Sequence, residues 1–365
     1  MEVVVVGAGI IGCAVAYEVA SRGARVRLLE KRDVGLGATQ ASAGVLCPYI
    51  EGHAAPLLDL TVHSLDLYDA FIERVRRDSG EAVEYRRTGT LEVALDEPHR
   101  ERLDATAARY RAAQVDHQLL SAAEAREFER SLAGTVTAAL FVPSHGYVAA
   151  SALTRALAVA ARRRGVTIQS ATTVRRIEAA GRGVRVTLAD QSIETDAVVL
   201  AAGSWSGDVV VTSAPSAPVK PIRGQLLLLH CGAPAAERVV WGSDCYLVPW
   251  ADGSLLVGAT VEDVGFDESA TAAAVRDLLD AACDLLPSVW TARFHEARAG
   301  LRPATSDELP IIGCSATIPG LVYATGHYRN GVMLAPLTAT AVADLLLEGT
   351  ESPHLATTRP SRFGL

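Results

Sequence analysis

Lysine is almost missing from this chain: Lys31 and Lys220 are the only two, within a Lys-plus-Arg total of 34. Positive charge therefore rests on arginine. That most simply reflects a GC-rich genome, and it also suits carboxylate recognition, because a guanidinium offers a planar fork of donors. Acids outnumber the cations, 42 to 34, giving a net charge of −8 and a pI near 5.6. With no basic stripe to offset this, a nucleic-acid partner is not expected. The six cysteines (13, 47, 231, 245, 283, 314) contain no CxxC pair and read as reduced core residues of a cytoplasmic protein. The nine histidines show no HxxxH or HxH spacing, so a metal site has no support. A serine-hydrolase elbow is absent, since Gly203-Ser204-Trp205-Ser206-Gly207 places tryptophan at its centre. No acid pair or Cys–His couple stands out, and no internal repeat is visible.

What is present is concentrated at the start. Residues 3–6 are four valines, suited to a strand buried on both faces. Gly7, Gly9 and Gly12 follow in GxGxxG spacing, then an apolar helical stretch over 10–21 and a second strand over 25–29 that ends on Glu30. The acid lies 18 residues past the last glycine, close to the roughly 20 of a dinucleotide-binding unit. Gly7 suits the tight turn, Gly9 a close approach to a pyrophosphate, and Gly12 close helix–sheet packing. The helix start offers free N–H groups to phosphate, and Glu30 offers oxygens to ribose hydroxyls. An ordinary βαβ unit leaves Glu30 unexplained. A signal peptide or membrane span would need a basic flank and would not hold three glycines and Glu18.

At 365 residues and 49% hydrophobic, the chain can bury a large core and suggests two or more domains. Residues 33–50 form a loop of small side chains directly after the second strand, suited to lying against a flat cofactor. The spacing predicts one long amphipathic helix over 57–75, strand over 83–95 bent at Thr88-Gly89, and a charged helix over 97–113. A capping box at Ser121 and Glu124 precedes a short helix, and a strand region over 138–148 turns at Ser144-His145-Gly146. Ser151 is expected to cap a helix ending in Arg162, Arg163 and Arg164. Three or four short strands follow over 167–201, with turns at Gly181-Arg182-Gly183 and Asp190-Gln191. The last runs to Gly203, where a ligand meets an open α/β sheet. Residues 213–221 read as a crossing between domains. Further strands are expected over 224–231, 239–249, 254–260 and 294–301, with a helix over 271–285 before the last. A strand over 321–325 leads into a helix reaching about residue 347, and the tail after Thr350 is expected to be loose.

Three side chains could carry chemistry. Arg329 stands just ahead of the predicted last helix, where a cation is disfavoured by about 0.3–1 kcal/mol unless an anion lies nearby. Arg302, between Leu301 and Pro303, could aim inward from a stiff strand end. Either arginine taken alone is more readily a surface residue, and Tyr246 could be plain sheet packing. Arginines and a tyrosine without an evident base suit a reaction whose hard step belongs to a cofactor.

At this point the motifs resemble a known family nearly end to end. VVGAGIIGCAVAYEVA, ATQASAGVL, VVLAAGSWSG, VKPIRGQ, CYLVP, LLVGAT, AGLRPATSDELPIIG and ATGHYRNGVMLAPLTA occur in family order. The chain is similar to the glycine oxidases of the thiamine pathway, within the D-amino-acid oxidase family of FAD-dependent amine oxidases. The resemblance implies FAD where the opening motif leaves FAD and NAD open. It implies an α/β fold: a Rossmann-like FAD-binding domain (1–82, 149–216 and 296–365) with a second, α+β substrate domain on a mixed antiparallel sheet (83–148 and 217–295). Arg302 and Arg329 resemble the pair around the substrate carboxylate, and Tyr246 the tyrosine that contacts substrate. Besides the glycine turn and Gly203, the flavin positions are Ile10, Ile11, Glu30, Lys31, Ala38, Thr39, Ala43, Gly44 and Val45. Val174, His327, Tyr328, Arg329, Asn330, Gly331, Val332 and Met333 complete them.

The resemblance implies oxidative deamination of glycine, with sarcosine and small D-amino acids as further substrates. The products are an oxo acid, ammonia and hydrogen peroxide, and the glycine imine feeds the thiazole of thiamine. A homo-oligomer is implied, with no membrane or nucleic-acid partner. Val261 stands where the family often has methionine, and LCPYIEGH after Val45 matches poorly, so the resemblance does not define the active-site lid. No cysteine lies near Arg302 in sequence, as in the covalent sarcosine oxidases, so non-covalent FAD is expected. Two alternatives stand: an amine or D-amino-acid dehydrogenase using an electron carrier, and a flavin-binding module without turnover.

Overall fold

A computed structural model of the chain describes residues 1–50, 55–181 and 183–365. The opening unit forms as its pattern predicts: strand Glu2–Val6, helix Ile10–Ser21, strand Arg25–Leu29. The valine run serves both faces of a sheet. Val3 and Val5 pack with the Ile10–Ser21 helix, while Val4 and Val6 join a separate cluster with Ile177, Val184 and Tyr323 on the other side. The helix is buried from Ile10 to Ala20. That includes Glu18, whose carboxylate takes Arg22 at 2.9 Å and Arg74 at 2.5 Å, so its charge is paired in the interior.

Six strands form the first sheet, in the order Ile311–Cys314, Leu321–Thr325, Ala197–Leu200, Glu2–Val6, Arg25–Leu29, Thr167–Gln169. All neighbours are parallel except the Ile311–Cys314 edge. Val3 pairs with Ala197 on one side and Val26 on the other. The chain thus leaves the first strand in one direction and returns on its opposite flank, which opens a crevice at the carboxyl ends of these strands.

The second sheet has eight strands, ordered Arg293–Ala304, Lys220–His230, Ser254–Gly258, Tyr246–Pro249, Val239–Trp241, Thr90–Ala94, Ala138–Val142, Gln118–Ser121. It is antiparallel except where Val239–Trp241 runs parallel to Thr90–Ala94. Its edge strand Arg293–Ala304 reaches the first sheet's loops. Gly300 permits this: a Cβ there would lie 2.7 Å from the Cβ of Ala41. Ser204, beyond the Ala197–Leu200 strand, donates to the Leu301 carbonyl at 2.9 Å. The two sheets therefore meet at the mouth of the crevice.

Several sequence expectations need correction. The predicted helix over 57–75 is two helices, Ala55–Asp66 and Tyr68–Ser79, although no glycine or proline separates them. The break follows tertiary bonds: Ser64 Oγ donates to the Met333 carbonyl at 2.7 Å and Tyr68 Oη to the Val332 carbonyl at 2.5 Å, pinning both helices to one loop. Ser151 is not a cap, because helix Ala150–Arg163 begins from Ala149 with no side-chain cap. The region 167–201 holds five strands, not three or four, and Arg182 in one expected turn lies outside the described residues. The Ile311–Cys314 edge strand was too short to signal itself. The tail is packed: Leu355, Thr358 and Leu365 are buried, and Thr358 and Leu365 carbonyls accept from Ile312 and Ala316 N–H groups at 3.0 and 3.1 Å. Only Cys13, Cys47 and Cys245 are buried; Cys314 is exposed. The lid segment LCPYIEGH extends into residues 51–53, outside the described residues. Among the described residues, no helix is long and apolar enough to cross a membrane.

Candidate active site

A cavity of about 470 Å³ lies along the crevice, within the roughly 300–1,000 Å³ of small-molecule sites. The glycine turn forms part of its wall. Gly7 sits at φ +101°, and a Cβ there would lie 2.5 Å from the Ala201 carbonyl oxygen. Gly12 stays off the wall; its Cβ would come 1.8 Å from the Gly7 oxygen, so this glycine serves helix–turn packing. Gly9 differs from both. The nearest protein atom to a Cβ at Gly9 is Thr39 Oγ1 at 3.6 Å, so the protein itself leaves room there, on the cavity wall.

Gly9 is also the N-cap of the Ile10–Ser21 helix and supplies no side-chain cap. Thr39 Oγ1 accepts from the Ile10 N–H at 3.2 Å, while the next N–H groups of the first turn have no intrahelical acceptor. Glu30 accepts from the Ala8 N–H through Oε2 and from the Arg32 N–H through Oε1, both at 2.7 Å. Each oxygen keeps a further lone pair for a hydroxyl. Ile10, Ile11, Lys31, Ala38, Thr39, Ala43, Gly44, Val45, Val174 and Gly203 all line the same cavity.

The second sheet supplies Tyr246 and Arg302 to this wall. Tyr246 stands opposite Gly258, whose missing side chain leaves its ring space: a Cβ there would be 2.6 Å from the hydroxyl. The Trp241 ring lies 4.7 Å from the Tyr246 ring, at an interplanar angle of 31°. Arg302 is half-buried, and its Nη1 donates to the Thr260 carbonyl at 2.9 Å and the Arg223 carbonyl at 3.3 Å.

His327, Tyr328, Arg329, Asn330, Gly331, Val332 and Met333 line the cavity from the loop after strand Leu321–Thr325. The expected helix start is displaced. Tyr328–Asn330 is a 3₁₀ turn, and the α-helix is Ala335–Leu347. Arg329 is thus more than a turn ahead of that helix, beyond the short reach of its terminal field, and the helix-dipole argument for it falls. Its guanidinium instead lies over the Tyr328 ring, 5.1 Å from the centroid. His327 is buried, with Nε2 3.1 Å from Thr338 Oγ1. Burial lowers its pKa to about 3, so the ring is neutral at ordinary pH.

Sequence reasoning missed several wall residues. Trp205 is one, with the Arg32 guanidinium 4.6 Å from its ring centroid and Phe266 packed on it at 5.9 Å. Arg32 also pairs with Glu268, tying the loop after strand Ser254–Gly258 to a residue of the cavity wall. Trp241 is another, standing opposite Tyr246 on the neighbouring strand. Cys47 and Cys245 also line the cavity, although neither is near Arg302 in sequence. Burial pushes the Cys245 thiol up to about 12, which keeps it protonated. Val261, the departure from the family's methionine, is on the wall as well. Among the described residues, no cluster of His, Cys, Asp or Glu could hold a metal.

A βαβ unit with an open Gly9 face, an acid with spare lone pairs and a long cavity shared with a second sheet together fit a flavin dinucleotide. The chain belongs to the family described as DAO, FAD dependent oxidoreductase, whose model matches residues 2–345. The glycine oxidase of Geobacillus kaustophilus is 34% identical over 348 residues, spanning 94% of this chain and 92% of that protein. The bifunctional protein ThiO/ThiG of Synechocystis sp. is 33% identical over 99% of this chain, which corresponds to 54% of that longer protein. The crystal structure of glycine oxidase from Geobacillus kaustophilus superposes with a TM-score of 0.93 at 33% identity, covering 98% of this chain and 97% of that one. The protein is an FAD-dependent enzyme, and the NAD reading of the opening motif is set aside.

Proposed function

We propose that this chain oxidatively deaminates glycine, with sarcosine and small D-amino acids as further substrates. Glycine, dioxygen and water give glyoxylate, ammonia and hydrogen peroxide, and the glycine imine formed on the way supplies the thiazole of thiamine. The observation that carries this reading is Arg302, a half-buried guanidinium fixed by two backbone carbonyls on the wall of the flavin cavity. A planar guanidinium placed on that wall suits the carboxylate of an amino acid.

Placement supports the following residue roles in this reading. The glycine turn, Glu30 and Val174 would hold the adenosine and pyrophosphate portion, and residues 327–333 with 43–45 would hold the ring. A flavin held there would supply the two-electron acceptor for the substrate's α-hydrogen, with dioxygen as the final electron acceptor. Arg302, with Arg329 and Tyr246, clamps the carboxylate and so orients the α-carbon, which supplies much of the rate. Trp241 and Tyr246 exclude water from one wall. His327 stays neutral and adds no positive charge to the site. The discontinuous division at 1–82, 149–216 and 296–365 against 83–148 and 217–295 belongs to this reading. It is supported by the strands of the six-stranded sheet falling in the first set and most of those of the eight-stranded sheet in the second. A cytoplasmic homo-oligomer with non-covalent FAD is part of the same proposal; the exposed Trp290 and Phe294 are candidates for a subunit contact.

Anaerobic mixing with glycine, sarcosine, D-alanine and D-proline, followed by air and a peroxide assay, tests the proposal. Bleaching by glycine and peroxide on aeration are expected. Bleaching without peroxide would indicate a dehydrogenase, and no bleaching by any of the four a module without turnover. Acid precipitation should release all the flavin into the supernatant.

A further inference from the structure

Both carbonyls that receive Arg302 belong to residues whose side chains end on one carboxylate. Glu262 Oε2 accepts from Arg223 Nη2 at 2.5 Å, and its Oε1 accepts from Thr260 Oγ1 at 2.5 Å. Oε1 also accepts from Gln225 Nε2 at 2.7 Å. The backbones are joined in the same place. The Arg223 N–H donates to the Glu262 carbonyl at 2.8 Å, and the Glu262 N–H donates to the Arg223 carbonyl at 3.0 Å. The Gln225 N–H reaches Thr260 Oγ1 at 3.0 Å.

Arg223 is only 4% exposed, so it needs its carboxylates, Glu262 and Asp267. Burial works to raise the pKa of Glu262, but the hydrogen bonds from Arg223, Thr260 and Gln225 prevail and hold it below the usual carboxylate range. None of Glu262, Arg223, Gln225 and Thr260 is on the cavity wall, whereas Val261 and Arg302 are.

We propose that Glu262 is a positioning residue for the reaction, fixing the Arg223 and Thr260 carbonyls that aim the Arg302 guanidinium at the substrate carboxylate. The idea rests on the carboxylate-binding role given to Arg302 above. Glu262 never meets the substrate. It acts by holding the segment after strand Ser254–Gly258 against strand Lys220–His230. An ion pair that merely stabilised the sheet would contribute the same whether or not Arg302 were present.

The test is a double-mutant cycle on the FAD-loaded enzyme with glycine as substrate, combining Glu262→Gln with Arg302→Ala. Thr260→Val is a second variant: it removes the hydroxyl on Glu262 while leaving Arg223 paired, and it keeps the cycle measurable if Glu262→Gln folds poorly. Loss of the charged acceptor should raise KM about tenfold with kcat changed less than about twofold, and flavin content should be unaltered. In the Arg302→Ala background the same substitution should add less than about twofold. Equal KM effects in both backgrounds, or none in the Arg302 enzyme, would overturn the positioning role. An Arg302→Ala enzyme with the parent KM would instead remove the reading on which the proposal stands, and the proposal with it.

Discussion

Gly224 leaves the space that the Arg302 guanidinium occupies: a Cβ at Gly224 would lie 2.2 Å from Nη2 and 2.4 Å from Nη1. Arg302 pairs in register with Ile222, two residues earlier on the neighbouring strand, so its side chain runs diagonally across the face to the gap at Gly224. The glycine in IRGQ and the arginine in GLRP, far apart in sequence, are halves of one feature.

Arg302→Ala should therefore raise KM for glycine steeply while leaving the bound-flavin spectrum intact. A charge-assisted hydrogen bond is worth about 1.5–3 kcal/mol, so the rise should be roughly ten- to a hundredfold. Gly224→Ala should shift KM in the same direction with Arg302 still in place, because the guanidinium must move to make room. Steady-state kinetics on both variants check this; parent-like KM in Arg302→Ala would remove the clamp.

Two glycines of the opening turn, Gly9 and Gly12, should separate by phenotype. A Cβ at Gly9 meets protein only at 3.6 Å, whereas one at Gly12 would sit 1.8 Å from the Gly7 oxygen. Gly9→Val should give folded but colourless protein, its side chain taking the place of the pyrophosphate. Gly12→Val should lose stability whether or not flavin is added. Visible absorbance with far-ultraviolet circular dichroism distinguishes them. Yellow holoprotein from Gly9→Val would contradict the placement of the cofactor.

How much of this could be read beforehand depended on the range of the forces involved. The Val3–Val6 run and the glycine turn are local, and the helix Ile10–Ser21 and strand Arg25–Leu29 follow the pattern closely. The break at Leu67 was invisible because its cause, the bonds of Ser64 and Tyr68 to residues 332–333, spans more than 260 positions. The tail looked loose for the same reason: its polar sequence hides Leu355, Thr358 and Leu365, which dock onto the Ile311–Cys314 edge. Much of the cavity wall was legible through the motifs, since Gly9, Glu30, Arg302 and residues 327–333 converge on it. Trp205, Trp241, Cys47 and Cys245 were not, because their strand or loop periodicity marks them as packing and only the meeting of the two sheets turns them inward. The dipole argument for Arg329 reached a cavity-lining residue through a helix start that lies further along the chain.

His145 makes a prediction that needs no substrate. It lies in the turn between strands Ala138–Val142 and Gly146–Val148, stacked on Tyr49 with ring centroids 5.6 Å apart. Neither ring nitrogen has a hydrogen-bond partner among the described residues. Burial, with a smaller contribution from the Arg87 guanidinium, lowers its pKa from 6.5 to about 3. The folded value lies below the unfolded one, so the unfolded chain binds the proton more readily. Stability associated with this site is complete above pH 6.5 and is lost as pH falls from 6.5 towards about 3. Each such histidine then costs about 1.4 kcal/mol per pH unit within the window, and His327, also lowered to about 3, shares it. His145→Leu leaves only His327. Between about pH 7.5 and about pH 5, the variant's urea-unfolding free energy should fall by roughly 2 kcal/mol less than the parent's. Equal losses would mean that the buried ring acquires a proton without unfolding the turn, through a partner that satisfies one of its nitrogens.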